Sequence, residues 1–255
     1  MNSPTFLVLY VLVASVATIT ALLWGLRIAI SRAELSAREQ RRSFWTGTTL
    51  LVAWFFAALV PSWQGFYHGT PERIPTLELG LLLPIIAGVM LYWRSSALRR
   101  IIAAASQRFL VGIQLYRVLG IIFLVLFAGG AMPGVFALPA GAGDVAVGLA
   151  APAVAFAFAR GLRGSAGLAR AWNLFGLADL IVAVTTGFLS SPSPIQKLAF
   201  DNPNILITAF PLVMIPVFLV PLAILLHVAS LTKLGRTQPS RHESIGLTPI
   251  VRAVR

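Results

Sequence analysis

Residues 109–129 read FLVGIQLYRVLGIIFLVLFAG, an apolar run carrying one charge, Arg117, near its middle. As a helix it would be about 31 Å long, the thickness of a bilayer's hydrocarbon core. An arginine at such a depth costs roughly 2.5–3.5 kcal/mol on insertion scales, and it pairs within the protein when it can. The stretch sets two expectations: a membrane-spanning fold, and a buried acid for Arg117.

The remainder of the 255-residue chain agrees with the first. It is 58% hydrophobic and 11% charged, with mean hydropathy +0.86. Soluble domains carry about 25% charged residues, so too little polar surface exists here to coat a globule. Apolar runs of spanning length fall at about 5–26, 44–63, 76–93, 109–129, 137–159, 168–189 and 204–230. The first could pass for a signal peptide. However, no basic residue precedes Phe6 and the run exceeds an h-region of about 7–15 residues, so it reads as a retained first span.

The gaps hold the cations. Segments 27–42, 94–108 and 160–170 and the tail from 231 carry seventeen of the twenty Lys and Arg residues. The alternate gaps hold only Arg73 and Lys197, and Arg117 lies inside a span. This alternation predicts an all-α integral membrane protein with seven transmembrane helices. By the positive-inside rule its N-terminus is outside and its C-terminus cytoplasmic, in the cell's inner membrane. Residues 1–230 form the helical domain and 231–255 a basic, disordered tail. The formal charge of +12 reads as topology plus attraction to anionic lipid head groups rather than nucleic-acid binding. Trp45, Trp63, Tyr67, Tyr92, Trp93 and Trp172 near the span ends fit an interfacial belt.

Three charged residues lie deep within spans: Arg117, Asp144 and Asp179. Arg117 is nine residues beyond Arg108, and Asp179 nine beyond Arg170. Both then stand about 13 Å inside the cytoplasmic boundary, and an Arg117–Asp179 ion pair between the fourth and sixth spans is predicted. Gln107, Gln114 and Arg117 share one helical face. Asn173, Gly176, Asp179 and Thr186 share another. The pair serves either as a structural latch or as a proton or ion relay.

Asp144 is sixteen residues before Arg160, about 24 Å along a helix, which places it in the outer part of the membrane, well above the pair. It ends PGVFALPAGAGD (133–144). Either the fifth helix starts near Phe136, or Asp144 caps it and 133–143 dips into the membrane; the cap is preferred. The fifth span is small-sided nearly all round and is placed at the bundle centre, with Pro152 as a kink. GAGDVAVGLA (141–150) and GLADLIVAVT (176–185) align weakly, their aspartates 35 residues apart. Pro211, Pro216 and Pro221 interrupt the seventh span. Glu72, Glu78 and Asp201, with Asp144, would give the outer mouth a set of carboxylates.

Several chemistries lack their residues. The absence of cysteine excludes disulfides and thiolate metal sites. The three histidines (68, 227 and 242) are scattered, which leaves a bis-histidine haem unsupported. There is no His/Asp zinc cluster, no lysine in the last span for a retinal Schiff base, no Walker loop and no GxSxG. No catalytic constellation emerges and no cofactor is expected. Two function classes remain. One is a small-solute or ion/proton-coupled transporter with an interior polar site of Gln114, Arg117, Asp144, Asn173 and Asp179. The other is a non-transporting module, a receptor or accessory subunit, in which these residues are structural.

Overall fold

The structure, a computed structural model, describes residues 5–73 and 76–236. Among the described residues all regular structure is helical. In chain order come α1 (Thr5–Arg32), α2 (Ala37–Trp63), α3 (Leu77–Arg94) and the short α4 (Ser96–Ala104). A fourth long rod follows, built from α5 (Gln107–Gly112), a 3-10 segment (Ile113–Gly120) and α6 (Ile121–Ala128). Then come α7 (Gly134–Ala159) and α8 (Ser165–Ser190). A 3-10 turn (Leu206–Thr208) and a π-helical segment (Ile215–Leu219) lead into α9 (Val220–Arg236). Seven rods are long and apolar enough to cross a membrane, which is compatible with a multi-pass membrane protein.

The helix starts follow local chemistry. Ser36 caps α2: its hydroxyl accepts from the Glu39 N–H, and the Glu39 carboxylate accepts from the Ser36 N–H, a reciprocal capping box. Segment 94–108, read from sequence as a charged connection, contains the amphipathic helix α4. Its Ile101 packs with Ala29, Ile30 and Leu35 while Arg100 reaches Glu39 at 3.2 Å.

Three sequence expectations are corrected here. The preferred cap at Asp144 is not formed: α7 runs unbroken from Gly134 to Ala159 with Pro133 at its N-cap and both Pro139 and Pro152 inside. A continuous helix satisfies its own backbone, whereas a dipping segment 133–143 would leave N–H and C=O groups to be matched by neighbours. Pro139 gives up one ladder bond, a smaller cost. The seventh span does not begin at 204. Residues 210–213 are turns, and with Pro211, Pro216 and Pro221 in succession the chain enters α9 through a wider π turn. Finally, α7 is not the bundle centre. Leu138, Leu149 and Phe156 form an exposed face on it, and the last rod is the most enclosed. The small face of α7 packs instead against α8 and the fourth rod.

The aromatics read as an interfacial belt divide by exposure. Trp45, Trp63 and Trp93 are exposed, but Trp172 and Tyr67 are buried. Trp172 donates from Nε1 to Val147 O at 3.2 Å, the partner a buried indole requires.

The cation-rich segments meet at one end of the bundle. Arg100 Nη1 donates to Glu34 O at 2.9 Å, Arg170 Nη2 to Leu234 O at 3.0 Å, and Lys233 Nζ to Ala103 O. At the other end Gly69 N–H meets Thr208 Oγ1 at 3.1 Å. The last helix continues to Arg236, beyond the expected boundary at 230. The tail reading over 237–255 falls outside the described residues.

Candidate functional site

The 3-10 segment Ile113–Gly120 carries the polar face of the fourth rod. Tyr116 donates from its hydroxyl to Leu219 O at 2.9 Å, and Gln114 donates from Nε2 to Ala223 O at 3.1 Å. These bonds tie the fourth rod to the irregular part of the last one, where the prolines and the π turn weaken the backbone ladder.

Arg117 projects from the same segment into the junction of α7, α8 and α9. Its side chain is 2% exposed. Nε donates to Asp144 Oδ1 at 2.7 Å and Nη2 donates to Asp179 Oδ2. Nη1 donates to Gly176 O at 3.2 Å and meets His227 Nε2 at 3.2 Å. The expected Arg117–Asp179 pair is present. The expected separation of Asp144 from it is not, since both aspartates hold the same guanidinium.

Two features defeated the depth estimate. A 3-10 helix rises about 2.0 Å per residue instead of 1.5 Å, so Arg117 sits farther from Arg108 than an α-helical ruler implies. In addition, the estimate compared Cα depths and ignored the reach of a long arginine side chain. A Cβ on Gly148 would come within 2.6 Å of the Val118 nitrogen, and one on Gly120 would strike Asp144. The 144–148 turn of α7 therefore lies beside 117–120, close enough for the long Arg117 side chain to reach Asp144. The short internal alignment did carry a signal. Its two aspartates, on helices packed side by side, face the same arginine.

The backbone around the triad is tight. A Cβ on Gly143 would overlap the Asp179 carboxylate, and one on Gly176 would lie 2.5 Å from the His227 ring and 3.1 Å from Arg117 Nη1. Glycine is what lets Asp179, His227 and Arg117 come together. Gly176→Ala is expected to displace the imidazole and cost about 1–3 kcal/mol, as overpacking does. Thermal unfolding in detergent checks this, and an unchanged midpoint would show that the ring yields freely.

His227, set aside on sequence grounds as one of three scattered histidines, is fully buried and belongs to the site. A guanidinium only donates, so His227 Nε2 accepts and the ring is neutral. Its Nδ1–H then donates to Asn173 Oδ1 at 2.9 Å. Asn173 Nδ2 donates to Ala169 O at 2.7 Å and to Ser230 Oγ at 2.9 Å, and Gln107 Nε2 reaches the same hydroxyl at 2.5 Å. A column of buried polar groups thus runs from Arg117 toward the cation-rich end. The polar faces that carry Gln107 and Asn173 hinted at it; for the last helix the only hint was the i, i+3 spacing of His227 and Ser230. His227→Phe keeps the ring but leaves an Arg117 N–H and the Asn173 carbonyl unmatched, with an expected loss of about 1–3 kcal/mol. A double-mutant cycle with Asn173→Leu should show coupling; strict additivity would break the column.

Of the five residues expected at the site, Arg117, Asp144 and Asp179 are in direct contact, and Asn173 joins through His227. Gln114 is buried on the same rod but bonds α9 instead, and its Oε1 has no partner among the described residues. Thr186 bonds its own helix, to Val182 O at 2.8 Å. The outer carboxylate set loses Asp144 to the triad. Among the described residues no group of three His, Asp or Glu side chains is arranged to hold a metal ion.

Asp144 borders two small cavities. One, of about 30 Å³, is lined by Tyr10, Tyr116, Arg117 and Gly120 among others. The other, of about 40 Å³, is lined by Leu81, Phe136, Phe188 and Ile207 among others. A water needs about 10–15 Å³, so each has room for about two. Leu180, Ile215 and Val220 line both, so a single layer of side chains separates them.

Residues 74–235 match the model of the family described as Domain of unknown function (DUF8737). The chain belongs to this family. The DUF8737 match takes in α3 to α9, and with them every residue of the triad and the polar column, while α1 and α2 lie outside it. Comparison with curated proteins and with solved structures finds no match.

Proposed function

We propose that this DUF8737 protein is a multi-pass protein of the cytoplasmic membrane, N-terminus outside, in which Arg117, Asp144 and Asp179 form the ion-exchanging site of a proton-coupled transporter. One observation carries the reading: two carboxylates share one guanidinium and one of them, Asp144, borders two water-sized cavities. With both acids ionised and His227 neutral, the site holds one excess negative charge. Such a charge inside a membrane is costly, and taking up a proton or a monovalent cation removes it. Asp144 can do so from either cavity. Leu180, Ile215 and Val220 form the barrier between the cavities, and the π turn beginning at Ile215 is the backbone irregularity that lets this barrier shift. The orientation rests on the cation-rich end of the bundle facing the cytoplasm, where it also meets anionic lipid head groups. Gln114 and Asn173 hold the rods in register around the site.

The size of the cavities favours a proton over a larger solute at this site. It also supports a second reading, a non-transporting membrane module in which the triad is a latch between rods. Proton uptake into proteoliposomes under an imposed pH gradient separates them. The transport reading expects uptake that Asp144→Asn abolishes. Uptake equal to that of empty liposomes, or unaffected in both Asp144→Asn and Asp179→Asn, leaves the latch.

A further inference from the structure

A groove of about 470 Å³ opens on the side of the bundle near its cation-rich end, walled by α1, α3, α4, α5 and α9. Its lining is almost wholly apolar, with Leu22, Gly88, Leu98, Phe109, Leu225 and Ala229 among it. The volume lies in the range of small-molecule sites, about 300–1,000 Å³.

The rim is cationic. Arg99 Nη1 donates to Tyr92 O at 3.2 Å and Trp93 O at 2.6 Å, and Arg236 Nη2 to the Tyr92 hydroxyl at 2.9 Å. Tyr92 and Trp93 themselves line the groove, so both guanidinium groups are held at its mouth. Lys233 is anchored nearby on Ala103 O. Among the described residues Glu39 pairs with Arg100, and no carboxylate forms an ion pair with Arg99 or Arg236. An apolar slot of chain-like volume beneath uncompensated positive charge is complementary to one kind of molecule.

We propose that the groove holds an acyl chain of one anionic phospholipid whose phosphate rests on Arg99 and Arg236. The inference rests on the membrane reading of the helices but not on proton exchange at the triad. Its test needs no flux, so a failed uptake assay leaves it standing.

The full chain, purified in a non-ionic detergent, is examined by native mass spectrometry with added phosphatidylglycerol or phosphatidylcholine. One phosphatidylglycerol should remain bound under activation that strips the rest, preferred over phosphatidylcholine on the order of tenfold. Ala229→Phe, which fills the slot, should lose the retained lipid of either kind. Arg99→Gln with Arg236→Gln removes the charge at the mouth without filling the slot. It should keep a lipid while losing the preference. Equal retention of the two lipids by the unsubstituted protein overturns the proposal. So does retention unchanged by Ala229→Phe, or a dimer that Ala229→Phe abolishes, which would make a second copy the occupant.

Discussion

Arg117→Gln is expected to remove most of the folded protein. The substitution takes the only cation from between Asp144 and Asp179 and strands two carboxylates in the interior. Breaking a buried ion pair from one side costs about 3–5 kcal/mol, much of a typical protein's whole margin of 5–15 kcal/mol. Asn173 and His227 would also lose the guanidinium that orders their column. The loss should be reversible by charge. The triple variant Arg117→Gln, Asp144→Asn, Asp179→Asn carries no buried charge and should regain most of the stability, because replacing all members of a buried ionic group together is often close to neutral. The checks are the yield of monodisperse protein in detergent and its thermal unfolding midpoint. A single Arg117→Gln variant as stable as the parent would mean that the guanidinium is not what holds the fourth rod to α7 and α8.

The second large effect concerns transport and leaves stability nearly unchanged. Asp144→Asn keeps the shape of the side chain, removes the excess negative charge and leaves Arg117 paired with Asp179. Stability should therefore change by about 1 kcal/mol or less, since neutral Asn still presents a carbonyl to Arg117 Nε. Proton uptake should fall to the level of empty liposomes, because the group that would carry the proton is gone. Asp179→Asn should resemble it in stability and retain part of the uptake, as Asp179 lines neither cavity. Together with the triple variant, these measurements separate charge that holds the bundle from charge that moves protons. A variant that is both destabilised and silent in flux would not separate the roles. Asp144→Asn, stable and silent, is the decisive combination. Stable and still active Asp144→Asn would exclude Asp144 as the carrier.

Much of the fold was legible because a span is a one-dimensional object. Hydropathy over about twenty residues and the alternation of Arg-rich and Arg-poor gaps located all seven long helices and the end at which the cations collect. What one dimension could not show was the internal geometry of a rod. The run from 109 to 129 looks like a uniform α-helix, yet it is 3-10 over Ile113–Gly120, and its Gln114 and Tyr116 bond carbonyls contributed by a distant helix. The same ignorance placed Asp144 too far out. It also favoured a cap where Pro133, Pro139 and the glycines of 133–144 are accommodated in one continuous α7.

His227 was missed for a related reason. A single histidine on an apolar helix carries no motif, and its partners Asn173 and Arg117 lie 54 and 110 residues away.

Composition and charge spacing by themselves determined that the chain is a bundle of seven apolar rods with a charge-rich end, and that Arg117 needs an acid. Burying an arginine without a partner is too costly for the sequence to leave the question open. Asp179 was legible from its spacing; that Asp144 shares the same guanidinium was a matter of tertiary structure alone. The vertical offset between two packed helices is set by where their glycines let the backbones touch, here Gly148 on Val118 and Gly120 on Asp144. That offset turned a predicted pair into a triad with one negative charge to spare.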